Sequence, residues 1–292
     1  MTLACAGALG VPWASGSSEP APLLGAEPVF ATPTTLDRIG RIVIPVTING
    51  QGPFRLMVDT GANRTIISTE LAQRLGIPYL DAPQVAMNGV TGRALVPTVA
   101  IEEIRAGDVV FENLSVPVLA PELIGDFDGI LGLAGLKYQR LIVDFRRDRV
   151  TISRSRSPRP DGPRIKVERV IGGLLSAPAR IGGVEVLLIF DTGAQLTMGN
   201  RALQNALRAD STLKAQVFGT TEDVAMGEVA NVPRIVLDRV DIRLAQVAFG
   251  DFHIFDVWEL NDRPAMIVGM DVLGAMDNFA IDFRLAEIQL RQ

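Results

Sequence analysis

Residues 54–68 read FRLMVDTGANRTIIS, and residues 186–200 read VLLIFDTGAQLTMGN. In both places an apolar run delivers one acid, Asp59 or Asp191, into Thr-Gly-Ala. The acids lie 191 − 59 = 132 residues apart, a little under half of the 292-residue chain. Two further landmarks repeat in the same order. DGILGLAGL (128–136) and AMIVGMDVLG (265–274) place Gly132 and Gly269 at an offset of 269 − 132 = 137. LIVDFRRDRVTI (141–152) and FAIDFRLAEIQL (279–290) place Asp144 and Asp282 at an offset of 282 − 144 = 138. Ordered landmarks at nearly constant offset are the mark of an internal duplication, and this period is far too long for a solenoid. The chain is therefore expected to fold as two similar lobes.

The local pattern is β. RIVIPVTING alternates loosely and ends on Asn-Gly, a hairpin signal, and ARIGGVEVLLIF turns through Gly-Gly. The stretch VPTVAIEEIRAGDVVFENLSVPVL predicts three short strands, and FGDFHIFDVWEL predicts an alternating strand carrying His253 as a structural or surface residue. Helix signals are sparse. STELAQRLGIP offers Ser68 or Thr69 as a cap and Gly76 then Pro78 as a stop; GNRALQNALRAD opens on Asn200 and supplies the matching helix in the second half. The expected fold is all-β, with two pseudo-symmetric lobes and a short helix in each. The expected layout is an unstructured or signal-peptide remnant over 1–35, a first lobe over 36–153, a linker over 154–166 and a second lobe over 167–292.

Composition narrows the chemistry. With 48% hydrophobic and 21% charged residues the chain is globular in type. Its net charge of −5 argues against nucleic acid as a partner, because phosphate neutralisation needs clustered Lys and Arg. The one basic cluster, RSRSPRPDGPR at 154–164, has the texture of a solvated linker. One cysteine, Cys5, and one histidine, His253, leave no intramolecular disulfide, no Cys/His metal pattern and no G-x-S-x-G elbow. Nor is there a phosphate-binding G-x-x-x-x-G-K-[ST] loop. No metal or cofactor is implied. Carboxylates remain as the reactive groups.

A carboxylate at the end of a buried strand is costly unless it is paired or hydrogen-bonded. Gly61 and Gly193 allow a sharp turn that aims N–H groups at the acid, Thr60 and Thr192 bring hydroxyls, and Ala62 and Ala194 are small enough for close approach. If the two loops meet about a pseudo-two-fold axis, the acids sit side by side and share one proton. One can then take a proton from water while the other donates to a carbonyl oxygen. A mere Asp-Thr-Gly turn would explain one copy; two copies in register favour chemistry.

These motifs resemble the aspartic proteases, and within them the retropepsin-like group. LMVDTGANRTII (56–67) and LIFDTGAQLTMG (188–199) fit the active-site signature around D-[ST]-G-[STA], and ILG (130–132) and IVG (267–269) fit the element that braces the catalytic loop. The resemblance covers roughly residues 38–153 and 167–291. It implies Asp59 and Asp191 as the catalytic pair, with Thr60 and Thr192 interlocked beneath them. It also implies a flap at MNGVTGRA, using Asn88, Gly89, Val90, Thr91 and Gly92. GTTEDVAMGEVAN (219–231) occupies the matching place in the second half without the Gly-x-x-Gly pattern. The implied activity is aspartic endopeptidase, with peptide or protein as substrate; the alternative is a peptide-binding or scaffold protein on the same fold. Retroviral-type enzymes are homodimers of one lobe, whereas this chain carries two, so a monomer is expected. The alternative arrangement pairs each lobe with another chain. The alanines after each D-T-G replace a hydroxyl that would stabilise the charged acid, which points to a pH optimum of about 5 to 6. Asp144, Asp282, Asp126, Asp128 and Asp271 are expected to be structural.

No apolar run reaches the roughly 18–20 residues of a membrane helix. The opening MTLACAGALGVPWASGSSEPAP has the small-residue texture of the end of a signal peptide, with Ala6-Gly7-Ala8 as a cleavage option. Periplasmic or secreted localisation is therefore expected, and cytoplasmic otherwise. Cys5 sits too near Met1 to fit a lipid anchor.

Overall fold

The computed structural model describes residues 29–33, 35–36, 41–107, 109–147, 149–155, 164–170, 173–211 and 213–291. Among them the strands form two eight-stranded sheets and one six-stranded sheet. The first sheet runs from Thr35–Leu36 through Ile42–Ile48, Gln51–Val58, Gly129–Leu131, Ile66–Ser68, Val109–Leu119 and Arg93–Ala106 to Gln84–Asn88. The second repeats that order with Glu168–Arg169, Leu175–Ile181, Val184–Phe190, Ala265–Val268, Met198–Gly199, Val240–Phe249, Val224–Leu237 and Leu213–Phe218. The fold is thus all-β and two-lobed.

The turns that start each lobe are chemical equivalents. Asn49 and Gly50 take φ of 48° and 76° between the first two long strands, and Gly182 and Gly183 take 54° and 87° in the second lobe. Positive φ at both central residues matches the right-handed twist of the flanking strands. Ser68 caps the helix Thr69–Arg74 by accepting from the Leu71 N–H at 2.9 Å, and Asn200 caps Arg201–Leu207 through the Leu203 N–H at 2.9 Å. One-turn helices at Pro121–Ile124, His253–Val257 and Met270–Leu273 add to these two.

The six-stranded sheet joins the lobes. At its centre Gln139–Asp144 pairs antiparallel with Asn278–Asp282. Val29–Pro33 closes one edge against Arg149–Arg154, and Ile165–Lys166 closes the other against Glu287–Arg291. Leu141, Val143, Val150, Ile152, Phe279, Ile281 and Ile288 are fully buried, so the sheet has a core that belongs to neither lobe alone.

Three expectations are corrected. The segment before residue 36 is not wholly unstructured: Val29–Pro33 is a strand held by a partner far along the chain and Thr35–Leu36 a strand paired with the nearby Ile42 and Val43, while residues 1–28, with Cys5, lie outside the described residues. The ends of the expected linker are strands too, at Arg149–Arg154 and Ile165–Lys166; residues 156–163 lie outside the described set. The three short strands are two long ones, Arg93–Ala106 and Val109–Leu119. Asn113, which reads as a turn residue, takes φ 55° inside the second strand, and the ladder keeps its register from Glu103–Glu112 to Ile101–Leu114.

Candidate active site

Each acid ends a buried strand. Gln51–Val58 leads into Asp59 and Val184–Phe190 into Asp191. Both strands run parallel to a short brace, Gly129–Leu131 or Ala265–Val268. The Asp59 N–H donates to the Leu131 carbonyl and the Asp191 N–H to the Val268 carbonyl, both at 3.0 Å. Each turn then doubles back over its brace: Leu133 donates to the Ala62 carbonyl and Met270 to the Ala194 carbonyl, both at 2.8 Å. Gly132 lies on the Arg64 carbonyl and Gly269 on the backbone of Leu196, so a Cβ at either would collide with main chain. The sequence landmarks at offset 137 are the points where the acid loops are pinned.

The loops interlock beneath the acids. The Thr60 N–H donates to Thr192 Oγ1, and the Thr192 N–H donates to Thr60 Oγ1, both at 3.1 Å. The Thr60 hydroxyl donates on to the Phe190 carbonyl at 2.8 Å, and the Thr192 hydroxyl to the Val58 carbonyl at 2.7 Å. All four bonds cross between lobes. Thr60 and Thr192 are buried, where hydrogen bonds are strong and their loss is costly.

Above this lattice the two carboxyls lie side by side, close enough for the charge of one to act on the other. Asp59 Oδ1 accepts from the Gly61 N–H at 2.7 Å and the Ala62 N–H at 3.0 Å. Asp191 Oδ1 accepts from the Gly193 N–H at 2.8 Å and the Ala194 N–H at 3.1 Å. Gly61 packs against the Asp191 carboxyl and Gly193 against that of Asp59, leaving no room for a Cβ at either. Each acid is 9% exposed. Burial is the largest cause raising both above the ordinary carboxylate range; at Asp59 the neighbouring Asp191 charge adds to it, and the loop N–H groups oppose it. The pair therefore holds one shared proton to higher pH than a free carboxyl would.

Two hairpins project over the acids. Gln84–Asn88 and the start of Arg93–Ala106 form the first, with Gly89 donating to the Gly92 carbonyl at 2.8 Å in its turn. Leu213–Phe218 and the start of Val224–Leu237 form the second. Their tips touch: Thr91 Oγ1 and Thr221 Oγ1 are 2.9 Å apart, and Gly89 lies against Thr220. The second half thus builds its own hairpin without the Gly-x-x-Gly signature. Between the tips and the acids lies a cavity of about 570 Å³ lined from both lobes. Asn88, Gly89 and Val90 line it, whereas Thr91 and Gly92 form the tip contact.

His253 begins a helix, not a strand, which corrects the alternating reading of FGDFHIFDVWEL. Its apolar residues face the core as Ile254, Phe255 and Trp258, a helical spacing too short to stand out in sequence. Through this helix His253 Nε2 comes 3.4 Å from Asn88 Oδ1 on the opposite hairpin. Asp144 and Asp282 lie in the six-stranded sheet, away from the cavity. The sequence reading did not place Trp258, Arg41 and Arg64 at the cavity, and no motif marks them.

A family model described as aspartyl protease matches residues 44–134 and 177–272, one match in each lobe. DNA damage-inducible protein 1 of Kluyveromyces lactis is 27% identical over 130 residues, which cover 44% of this chain. The match spans 30% of that relative's own length. A solved retropepsin-like aspartic protease from Rickettsia conorii is 22% identical with a TM-score of 0.35, over 44% of this chain and 93% of that one.

Proposed function

Because the chain belongs to the aspartyl protease family, matched in both lobes, we propose that it is an endopeptidase whose site is built from Asp59 and Asp191. The observation that carries this reading is the pair of buried carboxyls, set side by side under a cavity roofed by two hairpins. An extended peptide would enter that cavity and bond its backbone to the hairpin strands, as in strand addition. A water held between the acids gives a proton to the ionised one and attacks the peptide carbonyl carbon. The protonated acid passes its proton to the carbonyl oxygen, giving a neutral tetrahedral diol. The carboxyl that received the water's proton then delivers it to the amide nitrogen. The C–N bond breaks, and a diol hydroxyl returns its proton to the other acid as the carbonyl re-forms. One water is consumed, one amide is cleaved, and the shared proton is restored.

The interlocked threonines keep both acids in place through each exchange, since a shift of an ångström would misalign the transfer. One chain supplies both acids, so a monomer suffices. With Ala62 and Ala194 offering no side-chain donor, the pair stays half-protonated toward neutrality, in keeping with an optimum of about 5 to 6. The test is cleavage of an unstructured protein between pH 3 and 8 by the wild type and by Asp59→Asn and Asp191→Asn separately. Loss in both folded variants supports one site made by two lobes. Activity retained in either variant, or none in the wild type at any pH, would overturn it.

A further inference from the structure

The two lobes repeat one strand order around the duplicated Asp-Thr-Gly-Ala motifs, so the two halves of the cavity can be compared residue against residue. Val43 pairs with Met57, and Ser176 with Ile189; Met57 and Ile189 each stand two residues before their acid. Arg41 and Leu174 are therefore counterparts, each two residues before the paired position. After the acids, Arg64 and Leu196 are counterparts at the same 132-residue offset. All four line the cavity. Glu122 lines it in the first lobe, where the corresponding helix of the second lobe presents Ile254, Val257 and Trp258.

The contrast is one of charge. The first lobe places Arg41, Arg64 and Glu122 at the cavity, and Arg64 and Glu122 are exposed. Arg41 stacks on the Phe127 ring at 4.7 Å, which fixes its planar guanidinium. The second lobe places no charged side chain there other than Asp191 among the described residues. Its wall is Leu174, Leu196, Ile254 and Trp258, with Trp258 set edge-on to Phe255 at 6.2 Å. Leu196 is 48% exposed, an apolar side chain waiting to be covered.

We propose that the cavity reads its peptide by polarity across the scissile bond, taking a carboxylate side chain (Asp or Glu) against Arg41 and Arg64 and a large apolar side chain against Leu174, Leu196 and Trp258. This rests on the proteolytic reading of the same cavity. An extended strand crossing the pseudo-two-fold axis offers one flank to each lobe, so unlike walls select unlike flanks. A guanidinium grips a carboxylate with two parallel N–H bonds, and the two arginines outnumber the one carboxylate of Glu122 on that wall, so an acidic side chain is favoured there over lysine. The apolar wall gives its selectivity through side-chain area removed from water.

The experiment is sequencing of products from a randomised peptide pool cut by the full-length wild type, by Arg64→Leu and by Leu196→Arg. Each substitution installs the residue that the other lobe already carries at that position, so the loop has a natural precedent for it. Acidic residues should be enriched on one flank and large apolar ones on the other, with kcat/KM about tenfold higher for Glu than for Lys at the acidic flank. Arg64→Leu should shrink that ratio to about twofold or less, and Leu196→Arg should admit acids at the second flank. Equal tolerance of charge on both flanks, or a ratio unmoved in Arg64→Leu, overturns the proposal while leaving proteolysis intact. The same peptides are also titrated against the Asp59→Asn protein. If the wild type cuts nothing yet Asp59→Asn binds acidic-apolar peptides preferentially, the polarity stands and the proteolytic reading falls; if neither cutting nor preferential binding occurs, both fall.

Discussion

Thr60 and Thr192 make matching bonds on either side of the pseudo-two-fold axis, yet a few residues downstream the halves part company. Thr65 Oγ1 accepts from the Gly132 N–H at 3.3 Å. Its counterpart Thr197 accepts from Gly269 at 3.1 Å, donates to Asp271 Oδ1 at 2.7 Å, and gives its own N–H to Asp271 Oδ2 at 2.9 Å. Where the second lobe has Asp271, the first has Ala134, at the same 137-residue offset as the brace glycines. The six-stranded sheet diverges likewise. Arg140 lies opposite Asp282 and binds it at 2.9 Å with both side chains nearly buried, while the symmetry-related position pairs Asp144 with Asn278. Identity is kept where both acids need the same geometry, and it lapses where one lobe can be braced alone.

The largest expected effect tests that sheet. Asp282 accepts from Arg140 Nε at 3.1 Å, from the Ser155 hydroxyl at 2.8 Å and from the Leu285 N–H at 3.0 Å. Asp282→Asn removes the carboxylate from a buried guanidinium and should cost about 3–5 kcal/mol in urea denaturation. Asp144→Asn, at the duplicated position, disturbs only the pairing with Arg147, whose side chain is 80% exposed, and should stay within about 1 kcal/mol. Equal costs would mean that the interlobe sheet is symmetric in energy despite its asymmetric chemistry.

A smaller effect separates the braces. Thr197→Val leaves the Asp271 carboxylate short of a donor in a partly buried place and should cost about 1–3 kcal/mol. Thr65→Val removes one long bond and should cost about 0.5–1.5 kcal/mol. Adding Asp271→Ala to Thr197→Val should cost less than the sum of the two single changes, because they share one interaction.

Much of this was open to reading in the sequence, for local reasons. Asn49-Gly50 and Gly182-Gly183 dictate tight hairpins by conformation alone, and Ser68 and Asn200 cap helices three residues ahead of the N–H they accept. The duplication carried the rest, since a motif met twice at constant offset fixes a topology that neither copy would. What stayed hidden depends on distant partners. Val29–Pro33 is a strand because Arg149–Ser153 lies beside it, more than a hundred residues on. The second hairpin has no signature because its tip contact is Thr221 against Thr91, a pair visible only once the lobes have met. The contrast of Arg41 with Leu174 and Arg64 with Leu196 sat in the alignment of the halves all along, but nothing local said that those side chains reach one cavity.

The subtlest expected effect concerns the acids themselves, where the two halves are most alike. Burial and the neighbouring charge raise the pair above its unfolded pKa, so the native state binds more protons than the unfolded chain between those values. Stability from this source is complete below the unfolded carboxyl range and declines as pH rises through the raised native value. An asparagine at either position removes the like-charge contact and one buried ionisation. Asp59→Asn and Asp191→Asn should therefore melt above the wild type at pH 8 and by a smaller margin at pH 4. Roughly 2–4 °C is expected per kcal/mol for lobes of this size. Since the proton belongs to the pair and not to one acid, the two variants should trace the same curve against pH. A gain for one alone would mean that the first lobe and the second hold their carboxyls in unlike fields, and that the asymmetry of the cavity walls reaches down to the acids.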